Sequence, residues 1–144
     1  MKSLRLLVPL LFLACIADPG VRAAEKPAYN YMPAAELEQR LKTNEPITIV
    51  DIQVPEEYAQ HHIRGAIPTY AYPVKTDADR AKIEPLVEKI RAGSEPVAVV
   101  CPRGAGGAQR AVDYLLERGI DPQRLYILEK GQGGWSCAEL TEGK

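Results

Sequence analysis

Side chains suited to metal or redox chemistry are scarce in this chain: its 144 residues include three cysteines and two histidines. The histidines, His61 and His62, are neighbours, so on a helix or strand they point in different directions, and no cysteine or carboxylate stands at ligand spacing from them. No metal site is expected, and the pair reads as structural. No cofactor is expected either, because the glycines form neither a dinucleotide fingerprint nor a phosphate loop ending in Lys-Ser or Lys-Thr. Charge of one sign is also missing. With 18 basic and 19 acidic side chains and no basic stripe, the composition excludes binding to nucleic acid or to an anionic membrane by charge alone. There is no internal repeat and no low-complexity segment, and the apolar run Leu6 to Ala17, interrupted by Pro9, is too short for a comfortable membrane span.

That run does have a use. Lys2 and Arg5 precede it, and Val21 and Ala23 place small residues at the positions a signal peptidase reads, so residues 1–23 form a secretory leader cleaved after Ala23. A second reading takes Phe12, Leu13, Ala14 and Cys15 as an imperfect lipobox, with Cys15 becoming a lipid-anchored N-terminus. Export to a periplasmic or extracellular space is expected on the first reading, and a membrane-anchored lipoprotein on the second. Losing Lys2, Arg5, Arg22 and Asp18 with the leader shifts the formal net charge from −1 to −3. Only Cys101 and Cys137 then remain, in an oxidising compartment where they could bridge.

Residues 24–32 carry no periodicity and read as a lead-in to a single domain over residues 33–144. Pro33 suits the first position of a helix bearing Leu37 and Leu41 on its inner face. Ile47, Ile49, Val50 and Ile52 form a nearly continuous apolar run, as in a parallel strand covered on both faces, followed by a short helix over Pro55 to Gln60. A short edge strand is expected over Ala66 to Ala71, then a helix over Asp77 to Arg91 that Pro85 splits. Leu125 to Leu128 form the last strand. Strands and helices alternate, which implies an α/β fold: a mostly parallel central sheet flanked by helices on both faces, with ligands bound beyond the carboxyl ends of the strands.

The richest stretch is Val97 to Gly119, VAVVCPRGAGGAQRAVDYLLERG. Its strand stops at Cys101, a glycine-rich turn follows, and Ala108, Ala111, Val112 and Leu115 recur at helical spacing. Cys101 therefore faces the positive end of the next helix, a setting that favours thiolate over thiol. Gly104, Gly106 and Gly107 allow successive N–H groups to turn inward as an anion-binding nest, with Arg103 and Arg110 adding positive charge. The spacing fits poorly with other cysteine chemistry. A tyrosine-phosphatase loop needs an arginine where this chain has Gly107, and no second cysteine stands at thioredoxin spacing. Neither histidine stands in a recognisable context for a cysteine-protease base.

A strand ending in cysteine, a glycine-rich loop and an alanine-rich helix resemble the active-site loop of a single-domain rhodanese. Two further landmarks agree: DIQVPEEYAQHHIRGAIPTY is similar to the strand, helix and His-Ile-x-Gly-Ala turn of that family, and EKGQGGW to its C-terminal Gly-Gly-aromatic turn. The resemblance implies sulfur transfer. The Cys101 thiolate would attack the outer sulfur of thiosulfate or a related small anionic donor, expel sulfite without protonation, and keep the sulfur as a persulfide. A thiol, a protein or cyanide would then accept it. Pro102, Arg103, Gly104, Ala105, Gly106 and Gly107 would bind the substrate, assisted by Arg110. In the family the final strand neighbours the cysteine strand, which implies that Cys137 lies near Cys101 as a redox partner. The chain departs from many relatives by Gln53 in place of an arginine and by Gly106-Gly107 in place of Arg-Ser, implying modest turnover with thiosulfate. Two other readings stay open: a thiol-redox module with a Cys101–Cys137 disulfide, and a non-catalytic anion-binding module on the same scaffold.

Overall fold

The computed structural model describes residues 28–144. The leader, its cleavage site after Ala23 and the lipidation candidate Cys15 lie outside those residues. Strand β1 (Asn30–Met32), helix α1 (Ala34–Lys42), strand β2 (Thr48–Asp51) and helix α2 (Pro55–Gln60) come first. Two short strands, β3 (His62–Ile63) and β4 (Ile67–Pro68), precede the helices α3 (Asp77–Ala81) and α4 (Glu84–Ala92). Strand β5 (Val97–Val100), helix α5 (Gly106–Glu117), strand β6 (Leu125–Leu128) and strand β7 (Thr141–Glu142) complete the order.

Five strands form one parallel sheet in the order β1-β6-β5-β2-β4, and β3 pairs antiparallel with β7 apart from it. Strand β5 is central because every one of its residues is buried and both its neighbours are parallel. Its side chains alternate between two cores, as a pleated strand requires. Val97 and Val99 pack with Val87 and Ile90 of α4 and Ala111 and Leu115 of α5. Ala98 and Val100 pack with Met32, Leu37 of α1, Leu128 and Trp135. Helices thus cover both faces, and the expected α/β architecture is the observed one.

Local signals explain most boundaries. Thr76 and Asp79 close a capping box at the start of α3, and Pro85 sits in the first turn of α4, where its missing N–H costs nothing, so the charged segment splits as expected. Gly119, at φ +79°, follows the end of α5.

Four expectations need correction. Residues 30–32 are not a lead-in but strand β1, paired with Tyr126, Ile127 and Leu128; three residues are too few to show a period, and the pairing is non-local. Pro33 is the cap before α1 rather than its first helical residue, with ψ at 145°, while its carbonyl accepts from the N–H groups of Glu36 and Leu37. The edge strand expected over residues 66–71 shrinks to β4, since Tyr70 takes φ +56° and cannot continue a ladder. Leu125–Leu128 is not the final strand: β7 follows and ties the C-terminal segment to β3.

Met32 is fully buried in the core beside α1. Met32→Ala should cost about 3 kcal/mol, within the usual range for a buried large side chain, as measured by equilibrium urea unfolding. A loss below about 0.5 kcal/mol, the range of surface substitutions, would show that β1 contributes little to the fold.

Candidate active site

Cys101 follows the last residue of β5 and is 2% exposed. The backbone N–H of Gly104 donates to its Sγ at 3.1 Å, so the loop curls over the sulfur. Helix α5 starts immediately beyond. No side chain caps its N-terminus and no acidic residue lies in its first turn, so the positive end of the helix is left for the loop to use.

The loop is clamped from the adjacent turn after β6. Gln132 N–H donates to the Cys101 carbonyl at 2.8 Å, and Gly133 N–H donates to the Pro102 carbonyl at 3.0 Å. Two glycines make so close an approach possible. Gly104 has φ +67°, and a Cβ there would stand 2.6 Å from the Leu128 carbonyl oxygen. Gly131 has φ +57°, and a Cβ there would stand 2.0 Å from the Cys101 carbonyl oxygen. Neither position accepts a side chain without parting the two loops.

The structure brings the expected residues together unevenly. Pro102 to Gly107 join Cys101 to α5, with the Gly104 N–H on the sulfur, Ala105 at the cap position of α5, and Gly106 and Gly107 in its first turn. Gly107 is buried under Tyr72, whose ring would lie 2.9 Å from any Cβ added there; that ring occupies the space a side chain at 107 would need. Arg103 is exposed and makes no ion pair among the described residues. Arg110 is half-buried, and its Nε donates to the Pro73 carbonyl at 2.9 Å while its guanidinium lies beside Gly106. It therefore braces the start of α5 against the Tyr72–Pro73 segment, next to the loop.

Cys137 is not brought to Cys101. Both thiols are free: Cys101 packs in the core under α4 and α5, whereas Cys137 packs against the core on the side of α1. The segment after β6 crosses to that second face to join β3, and it carries Cys137 beside Glu38. The Glu38 carboxyl itself is held below its ordinary range mainly by its hydrogen bond to Lys42.

The histidines divide. His62 stacks on Tyr58 with ring centroids 3.8 Å apart and its Nδ1 is 2.7 Å from the Tyr58 carbonyl oxygen, a structural role as expected. His61 is exposed and its Nδ1 lies 2.6 Å from Gln132 Nε2. Gln132, whose main chain clamps Cys101, escapes a reading of the sequence because it is one polar residue inside a glycine turn. Its position between Gly131 and Gly133-Gly134 is the only local sign. Among the described residues no group of three His, Cys, Asp or Glu is gathered that could hold a metal.

At the end of β2, Asp51 is fully buried and accepts hydrogen bonds from the Gln53 N–H at 2.8 Å and from Gln53 Nε2 at 3.0 Å. Gln53 Nε2 also donates to the His61 carbonyl at 3.2 Å. A neutral amide thus links the strand end to the histidine turn. Burial pushes the Asp51 carboxyl up to about 6, and the two Gln53 hydrogen bonds only partly oppose it. Because the folded value lies above the unfolded one, the fold prefers the protonated acid. Stability from this group is present below about pH 4, is lost as pH rises to about 6, and is flat beyond; the total is on the order of 3 kcal/mol. Asp51→Asn should remove that slope. Urea unfolding of the two proteins from pH 4 to pH 7 checks it: parallel curves would show that Asp51 ionises without penalty.

A family model described as a rhodanese-like domain matches residues 33–138. Curated protein sequences give no match. Among solved structures, the chain is similar to a yeast protein tyrosine phosphatase of the rhodanese family, with 22% identity, 83% of this chain and 95% of that one covered, and a TM-score of 0.62. It is similar to a rhodanese-like domain protein from Staphylococcus aureus, with 26% identity, 80% and 98% covered, and a TM-score of 0.56. A thiosulfate sulfurtransferase from Pseudomonas aeruginosa aligns at 20% identity over 83% of this chain and 20% of that one, with a TM-score of 0.59.

Proposed function

The chain belongs to the rhodanese-like domain family, and from that membership we propose that it is a sulfurtransferase that carries sulfane sulfur as a persulfide on Cys101. One observation carries the reading: a buried cysteine whose Sγ accepts a main-chain N–H at the uncapped start of α5. Such donors suit a sulfur anion as an oxyanion hole suits an oxygen. No imidazole or carboxylate hydrogen-bonds to the sulfur among the described residues, so the chemistry has to proceed without a base held on the thiol.

Sulfur transfer meets that condition. The Cys101 thiolate attacks the outer sulfur of thiosulfate, the new S–S bond forms as the old one breaks, and sulfite departs with the bonding pair, needing no proton. The loop N–H groups hold the terminal sulfur of the resulting persulfide. Arg103, exposed and uncommitted, attracts the dianionic donor, while Arg110 fixes the first turn of α5. An acceptor thiolate, or cyanide, then attacks the terminal sulfur and restores Cys101. Phosphatase chemistry is less favoured, since Gly107 stands where a phosphate-binding arginine is needed and Tyr72 covers it. We also propose export, on the sequence of residues 1–23.

Incubation with thiosulfate followed by intact-protein mass spectrometry should show a one-sulfur increment that Cys101→Ser lacks; an increment that persists in the variant would exclude the assignment. Arg103→Ala should raise the KM for thiosulfate about tenfold, equivalent to about 1.4 kcal/mol, with the persulfide once formed as long-lived as before. An unchanged KM in steady-state assays would remove Arg103 from donor binding.

A further inference from the structure

Strand β5 is flanked by β2 and β6, and the segments that leave those two strands are joined next to the Cys101 loop by a run of polar contacts. On the β2 side, Gln53 is buried, and its Nε2 donates to Asp51 and to the His61 carbonyl. The His61 N–H donates to the Glu57 carbonyl at 3.0 Å, so both main-chain polar groups of this residue are fixed. On the β6 side, Gln132 N–H and Gly133 N–H donate to the Cys101 and Pro102 carbonyls. The two sides meet through side chains: His61 Nδ1 lies 2.6 Å from the Gln132 amide.

That contact holds whichever way the amide is turned. A neutral imidazole carries one N–H and one bare nitrogen, so Nδ1 accepts from the amide nitrogen in one tautomer and donates to the amide oxygen in the other. Gln132 is 4% exposed, and the other atom of its amide has no hydrogen-bond partner among the described residues. Among them the imidazole is therefore the sole partner of this buried side chain. An interior amide without a partner is costly, whereas water outside would satisfy it. Without the ring, the amide is driven towards solvent, and the main-chain N–H of the same residue is the one that holds the Cys101 carbonyl.

We propose that His61 is a positioning residue for Cys101: by pairing with the Gln132 side chain it keeps the turn after β6 seated on the cysteine loop, and so keeps the Gly104 N–H on the sulfur. No hydrogen bond joins its ring to the loop itself among the described residues, so it acts through Gln132. The effect on catalysis rests on the sulfur-transfer reading. The positioning does not.

Two variants and two measurements test this. The asparagine amide carries its nitrogen and oxygen on Cγ, as the imidazole carries Nδ1, so His61→Asn keeps the contact and His61→Ala loses it. Amide hydrogen exchange followed by NMR reads the clamp without any turnover. In His61→Ala the Gln132 and Gly133 N–H groups should exchange about tenfold faster than in the unaltered protein, with Val99 in the middle of β5 unchanged, and His61→Asn should reverse the increase. With thiosulfate as donor and cyanide as acceptor, kcat should fall about tenfold in His61→Ala while KM for thiosulfate stays within about twofold, Arg103 being untouched, and His61→Asn should restore kcat. General destabilisation would raise the Val99 rate in step with the clamp, and that result would overturn the proposal. Clamp exchange unchanged in His61→Ala, faster exchange with kcat unaltered, or an alanine phenotype that persists in His61→Asn would overturn it as well. The expected exchange pattern in a protein that never loads sulfur on Cys101 would retain the role of His61 and discard the transferase.

Discussion

The site depends on two main-chain hydrogen bonds from one loop to another: Gln132 N–H to the Cys101 carbonyl and Gly133 N–H to the Pro102 carbonyl. They hold the two peptide groups that follow Cys101, on either side of Pro102, while the Gly104 N–H faces the sulfur. That clamp explains the glycines better than flexibility does. Gly104 and Gly131 are where the two loops touch, backbone to backbone, and a methyl group at either would act as a wedge. Residues with no chemistry of their own thus decide whether the chemistry is available.

Charge is handled sparingly around this clamp. The strand-end acid Asp51 is matched by an amide rather than a cation, so it resists ionisation, while Gln53 spends its side chain on joining β2 to the histidine turn. At the other rim of the loop, Arg110 is occupied with the Pro73 carbonyl and Arg103 remains open to solvent. Tyr72 over Gly107 gives a reason for the missing side chain there: an aromatic ring from the segment after β4 has taken its volume. The loop therefore gathers its positive potential mainly from N–H groups and the helix end, with the exposed Arg103 outside.

Much of the fold is legible in the sequence because its strongest signals are local. The runs Ile49–Val50 and Val97–Val100 read as buried parallel strands, Pro55 and Pro85 announce helix starts, and Gly119 a helix end. Strands β1, β3 and β7 are not legible, since two or three residues cannot display a period and their partners lie far along the chain. The same divide runs through the site. Cys101, the glycine loop and the positive end of α5 follow from one contiguous stretch. Gln132, Tyr72 and the separation of Cys137 depend on which face of the sheet a distant segment crosses, and no spacing in the sequence encodes that choice.

Strand β5 sits between β2 and β6, and the clamp on Cys101 comes from the turn that follows β6. During synthesis the chain up to Glu117 can assemble its strand, loop and helix with β5 still at an open edge. Only when the last fifth of the chain docks is that edge closed and the Cys101 loop clamped. The order of assembly therefore makes the cysteine loop the last part of the central strand–loop–helix unit to be fixed, because the non-local contacts that shape it come from the end of the chain.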